Sequence, residues 1–93
     1  MAKVPAFAKT FAGRWRRTGR RGLIVEMDTW DNDFLNLVEK AHITFRGRAN
    51  VEIAFGALNG DLDVRYGSRE GAACAEFSWQ ATTKAIPSAA AAG

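Results

Sequence analysis

Two side chains in this sequence offer nucleophilic or proton-transfer chemistry near neutral pH. His42 is the only histidine and Cys74 the only cysteine among 93 residues. A thiol becomes a useful nucleophile when an imidazole lies within hydrogen-bond reach. The strands expected to carry them have two others between them, a separation of roughly 14 Å at about 4.8 Å per strand step. Cys74 then reads as a small strand residue and His42 as a solvent-facing one. Asp28, Asp31 and Asp33 in M-D-T-W-D-N-D are dense enough in oxygen for Ca²⁺ or Mg²⁺. The D-x-D-x-D-G spacing with its distal glutamate is absent, however, and helix capping accounts for Asp31 and Asp33. Asp61 and Asp63 share a strand face without a second acid placed for acid–base work. There is no phosphate-cradling glycine loop, no G-x-S-x-G and no zinc ligand set. The expectation is a non-enzymatic protein with no metal and no cofactor.

The remaining chemistry is electrostatic. Residues 1–22 carry seven basic side chains and no acid, while residues 23–93 carry six basic and ten acidic ones. The net charge of +3 therefore belongs to an N-terminal arm. Within it, R-W-R-R-T-G-R-R-G reads as a flexible basic loop. Arg14, Arg16, Arg17, Arg20 and Arg21 are candidate phosphate contacts, with Trp15 available to stack on a base. The plainer reading leaves the arginines in water and packs Trp15 on the core.

The elements that must position these groups follow from periodicity. Val4, Phe7 and Phe11 fall at helical spacing after Pro5, which predicts a short N-terminal helix. Leu23, Val25 and Met27 alternate with Ile24, Glu26 and Asp28, a strand over 23–29. Asp31 then caps a helix of about two turns, Asn32–Glu39, with Trp30 stapled onto Leu35. Ala41, Ile43 and Phe45 alternate again, a second strand over 41–46. Asn59-Gly60 is a strong hairpin signal, because a type I′ turn needs φ > 0 at both central residues. Folding there sets Ala57 against Leu62, Phe55 against Val64 and Ile53 against Tyr66, all apolar and on one face. Ala73, Ala75, Phe77 and Trp79 form the apolar face of a last strand. One register sets Val64 against Phe77 and Arg65 against Glu76. The fold class expected is mainly β, a small α+β domain. It is an antiparallel meander of about five strands, or a partial barrel, with one short helix after the first strand. Its organisation reads as a basic arm over 1–22, a β domain over 23–79 and an alanine-rich disordered tail over 80–93.

Several segments resemble one family of small uncharacterised bacterial proteins. They are F-A-G-R-W at Phe11–Trp15, I-V-E-M-D-T-W-D-N-D-F-L at Ile24–Leu35 and A-H-I-T-F at Ala41–Phe45. E-I-A-F-G-A-L-N-G-D-L-D-V-R-Y-G at Glu52–Gly67 and A-E-F-S-W at Ala75–Trp79 complete them. The resemblance implies a compact, mainly β cytosolic protein and brings no activity or catalytic residue. The chain departs from it twice. Arg16–Leu23 intervenes where the family runs almost directly from G-R-W into the next strand. After Trp79 the family continues with an acidic E-G-x-D-E stretch, S-G-R-G-W and two further strands, where this chain turns to alanine. Such a tail is what GC-rich DNA yields out of frame, so a frame change after Trp79 is expected, with a natural short form as the alternative. The last strand, with Ala75, Phe77 and Trp79, would then be an open edge inviting a partner.

Three functions are consistent with these residues. The first is a module binding a protein partner, itself included, through a sheet edge or aromatic face. The second is nucleic-acid association through the basic arm. The third is a small apolar ligand held inside a curled sheet by Phe45, Phe55, Tyr66, Phe77 and Trp79. A lone cysteine suits a reducing compartment, so a cytoplasmic location is expected. No apolar run approaches the roughly 20 residues that span a bilayer.

Overall fold

The computed structural model describes residues 3–81. A short 3-10 helix, Ala6–Thr10, precedes strands β1 (Arg14–Gly19) and β2 (Gly22–Met27). Helices α1 (Asn32–Phe45) and α2 (Arg48–Phe55) come next, then strands β3 (Gly60–Arg69) and β4 (Ala72–Ala81). The four strands form one open antiparallel sheet in the order β1-β2-β4-β3. β2 and β3 therefore run parallel, joined by the two helices, with β4 slotted between them. This is a small α+β fold, and the five-strand meander expected from alternation is corrected, among the described residues, to four strands and two helices.

The correction begins at α1. Asp31 does cap it, accepting the Phe34 N–H at 3.1 Å. The helix then continues past Glu39 to Phe45, through the residues expected to form a strand. Phe34, Leu37, Val38, Ala41 and Phe45 are buried, a spacing of three, four and seven that lines one helical face. Ile43, which alternation placed inside, is 65% exposed. Trp30 lies tilted against Phe34 and stacks on Tyr66, at centroid distances of 5.2 and 5.9 Å.

The stretch before Asn59-Gly60 is also helical. α2 lies between Gly47 and Gly56, and buries Val51, Ala54 and Phe55 at positions i, i+3 and i+4. Gly56 closes it in the left-handed region at φ 72°, its N–H donating to the Glu52 carbonyl at 2.9 Å. The side chain of Asn50 donates to the Thr44 carbonyl at 2.9 Å, pinning the α1–α2 junction. Phe55 therefore packs flat on Trp79, 5.7 Å between centroids, and does not pair with Val64.

The hairpin turn sits at Glu70-Gly71 and not at Asn59-Gly60. Glu70 and Gly71 both have positive φ, 52° and 84°, between the paired residues Arg69 and Ala72. That is the two-residue geometry whose twist matches antiparallel strands. The β3–β4 register sets Val64 against Phe77 and Arg65 against Glu76, as cross-strand chemistry predicted.

The basic segment is not a free loop. Arg14–Gly19 is the edge strand β1, paired with β2 from Arg14↔Glu26 to Gly19↔Gly22. The boundary drawn at residue 22 thus cuts through a hairpin. β4 is paired on both sides, so Ala75, Phe77 and Trp79 do not form an edge; β1 and β3 do. Gln80 and Ala81 belong to β4, and the rest of the alanine-rich tail, 82–93, lies outside the described residues.

Both helices and the N-terminal turn pack on one sheet face. Phe45 is the hub, with Phe77, Phe7, Trp15, Phe55 and Phe11 at centroid distances of 5.0, 5.5, 5.8, 6.2 and 6.4 Å. All of these rings meet it edge to face, a preferred aromatic geometry. Beneath them Leu23, Val25, Ala73, Ala75 and Phe77 are fully buried. The aromatics expected to line a ligand cavity are thus split: Phe45, Phe55, Phe77 and Trp79 fill the core, while Tyr66 is 55% exposed.

The cap gives a pH-dependent expectation. The Phe34 N–H, then the Thr29 hydroxyl, hold the Asp31 carboxyl below its ordinary value of 3.8. A carboxylate with a depressed folded value stabilises the fold fully above the unfolded value, and that contribution is lost as pH falls through the folded one. Asp31→Ala should lower the melting temperature at pH 7. The gap between variant and wild type should narrow as pH is taken below 3.8, measured by circular dichroism.

Candidate functional site

The groups with recognisable chemistry are dispersed by this fold. His42 lies on α1 on the helical side of the sheet. Cys74 is buried on the opposite face, beside Glu26 and Gly67 in the strand ladder. The sheet itself separates them. Asp28 pairs with Arg14 at 3.0 Å, and the Asp31 carboxylate is occupied by Phe34 and Thr29. Among the described residues no group of three His, Cys, Asp or Glu is placed to hold a metal.

The basic segment divides between the two faces of β1. Trp15 and Arg17 point inward. Trp15 stacks on Phe77 at 5.8 Å and donates its indole N–H to the Phe11 carbonyl at 3.2 Å, so it belongs to the core. Arg17 donates to the carbonyls of Lys3, Arg20 and Ala54, tying three segments together at the end of α2. Partial burial pulls its pKa down. Arg14 and Arg16 point outward, and Arg20 and Arg21 form the hairpin tip. On that outer face Glu26, Glu76, Asp61 and Asp63 lie among Arg14, Arg16, Arg65 and Arg69. The mixture of signs gives no continuous basic track for a phosphate backbone.

The feature that does assemble lies along β3. This strand is ten residues long, and among the described residues nothing pairs with its outer edge. Its inward side chains are Leu62, Val64 and Tyr66. Along β3 the helical layer buries Leu62 but leaves Val64 half-buried and Tyr66 exposed. A groove of about 570 Å³ results, with Leu35, Val38 and His42 of α1 on one wall and Leu62, Val64 and Tyr66 on the other. Glu39 and Arg46 stand at its rim. Trp30, 45% exposed and stacked on Tyr66 at an interplanar angle of 16°, extends the apolar surface. The His42 imidazole accepts from Arg46 Nε at 3.2 Å, and burial, then the Arg46 charge, lower its pKa. Both effects favour the neutral, hydrogen-bond-accepting imidazole.

Sequence reasoning missed this edge because it assigned β3's free side to residues 53–57. One signal was present: the segment between Gly47 and Gly56 has the length of a short capped helix. Comparison with protein-family models, with curated proteins and with solved structures returns no match. Among the described residues, no helix is long and apolar enough to cross a membrane.

Proposed function

We propose that this chain is a non-enzymatic protein-interaction module that works by strand addition at β3. An extended segment laid along the β3 edge would bond to its free backbone groups, and every second side chain would drop into the α1–β3 groove. Main-chain bonding gives such complexes affinity and the side-chain pockets give them specificity. The observation that carries this reading is a ten-residue edge strand whose half-exposed Val64 and exposed Tyr66 face an open apolar groove. Native sheets ordinarily blunt an edge with proline, a bulge, a cover or charged side chains. β3 has no proline and no register break against β4, and its charges, Asp61, Asp63, Arg65 and Arg69, are of both signs.

The test is a random linear-peptide display library panned on the immobilised full chain. Val64→Lys and Leu35→Lys chains serve as parallel baits, each first shown to melt cooperatively. Enriched peptides should alternate apolar and polar residues and bind both variants at least tenfold more weakly. Peptides that ignore both substitutions, or no enrichment on a bait that is monomeric, would remove the proposal.

A further inference from the structure

We infer that the occupant of this edge is a second copy of the same chain, paired β3 to β3 about a two-fold axis through Val64. The inference rests on reading β3 as a docking edge and adds the partner and the register. An antiparallel strand paired with itself is isologous, so each contact occurs twice. Both sheet faces match only when the axis passes through a residue position, which leaves few registers to compare.

With the axis at Val64, Asp63 lies opposite the second copy's Arg65, and Arg65 opposite its Asp63. On the other face Leu62 meets the second copy's Tyr66, and Val64 meets Val64. Opposite charges pair on one face and apolar side chains on the other, which is the stabilising arrangement for neighbouring strands. The other registers are poorer. An axis at Asp63 or Arg65 sets that charge against its own copy, although Asp61 then meets Arg65 or Arg69. An axis at Leu62 sets Asp61 against Asp63. An axis at Tyr66 sets Val64 against Ser68 and leaves Leu62 opposite the turn residue Glu70. Within one chain Asp63 and Arg65 already lie 3.2 Å apart, with side chains 43% and 81% exposed, so each is open to a second partner.

The other edge is unsuited to self-pairing. β1 presents Arg14, Arg16 and Arg17 with no acid, and its register breaks between Arg17 and Gly19. Pairing at β3 makes one eight-stranded sheet with the helices of both copies on the same side. The two grooves then meet across the axis, and Tyr66, now exposed beside Trp30, gains cover from the second copy's strand where it lies opposite Leu62.

The experiment is sedimentation equilibrium on the full chain and on charge variants that are first shown to melt cooperatively. Wild type should have twice the chain mass at micromolar concentrations. Asp63→Lys gives an edge with two positive charges, and the double variant R65E/E76R gives two negative charges there while keeping the cross-strand pair with β4. Each alone should dissociate at least tenfold more readily, and an equimolar mixture should recover the dimer. Under oxidising conditions Val64→Cys should cross-link covalently and Asp61→Cys should not. A dimer indifferent to the charge variants overturns the inference. So does an open series of masses, which would mark head-to-tail pairing of β3 with β1, where Arg14 and Arg16 meet Asp61 and Asp63. A monomer that still captures displayed peptides through Val64 overturns the second copy and leaves the docking edge standing. A monomer that captures none overturns both.

Discussion

Phe45→Ala is expected to lower the melting temperature by about 15–30 °C, whereas Ile43→Ala, two residues away, should leave it nearly unchanged. Phe45 is fully buried and its ring meets five other aromatic rings. Removing a buried phenylalanine costs about 3–5 kcal/mol, because the transfer free energy is lost and the cavity collapses only in part. For a domain of this size each kcal/mol moves the midpoint by about 4–8 °C. Ile43 is 65% exposed on the opposite side of the helix, and surface changes of that kind stay within about 0.5 kcal/mol. The pair discriminates between periods. In a strand both side chains would face the core and both variants would fall together. Thermal unfolding followed by tryptophan fluorescence reads the difference, and equal losses would restore the strand over 41–46.

Ala75→Asp is expected to abolish folding at 25 °C. Ala75 has no exposed surface and sits on the inner face of β4, between Val25 of β2 and Tyr66 of β3. A carboxylate there has no hydrogen-bonding partner and no route to water, and buried unpaired charge is among the few single changes that cost more than about 4 kcal/mol. Small domains hold only about 5–15 kcal/mol in total. Ser68→Asp is the control. It lies on the same face one strand over, is exposed, and should melt close to wild type. If β4 were an open edge, as its place at the end of the regular pattern implied, the carboxylate at 75 could turn into solvent and the two variants would behave alike. Far-ultraviolet circular dichroism with a thermal ramp separates the two outcomes.

How much of this was legible varies from element to element, for identifiable reasons. β2 was readable because Leu23, Val25 and Met27 alternate with residues of the other face, and because Asp31 marks the start of the next helix. The register of β3 on β4 was readable because Val64, Arg65, Phe77 and Glu76 satisfy both faces in one alignment only. The second half of α1 and the whole of α2 were missed because alanine, isoleucine and phenylalanine between 41 and 55 fit a period of two as well as a period near 3.6. Asn59-Gly60 then drew the turn to the wrong place. The actual turn, at Glu70-Gly71, lacks that familiar dipeptide and relies on a glutamate at φ 52°. The candidate site suffered with the topology: arginines and tryptophan in R-W-R-R look alike in sequence, but strand alternation sends Trp15 and Arg17 inward and Arg14 and Arg16 outward.

The amino-acid order by itself determined the local decisions: where a helix starts at Asp31, which side chains alternate in β2 and β4, and which charges face each other across β3 and β4. Only tertiary structure decided that β4 lies between β2 and β3, that Ile43 and Ile53 face water, and that β3, among the described residues, keeps a free edge beside an apolar groove. The reason is that periodicity reports which residues want burial, while the placement of the helices over the sheet, burying Leu62 but leaving Val64 half-buried and Tyr66 exposed, determines which of them obtain it.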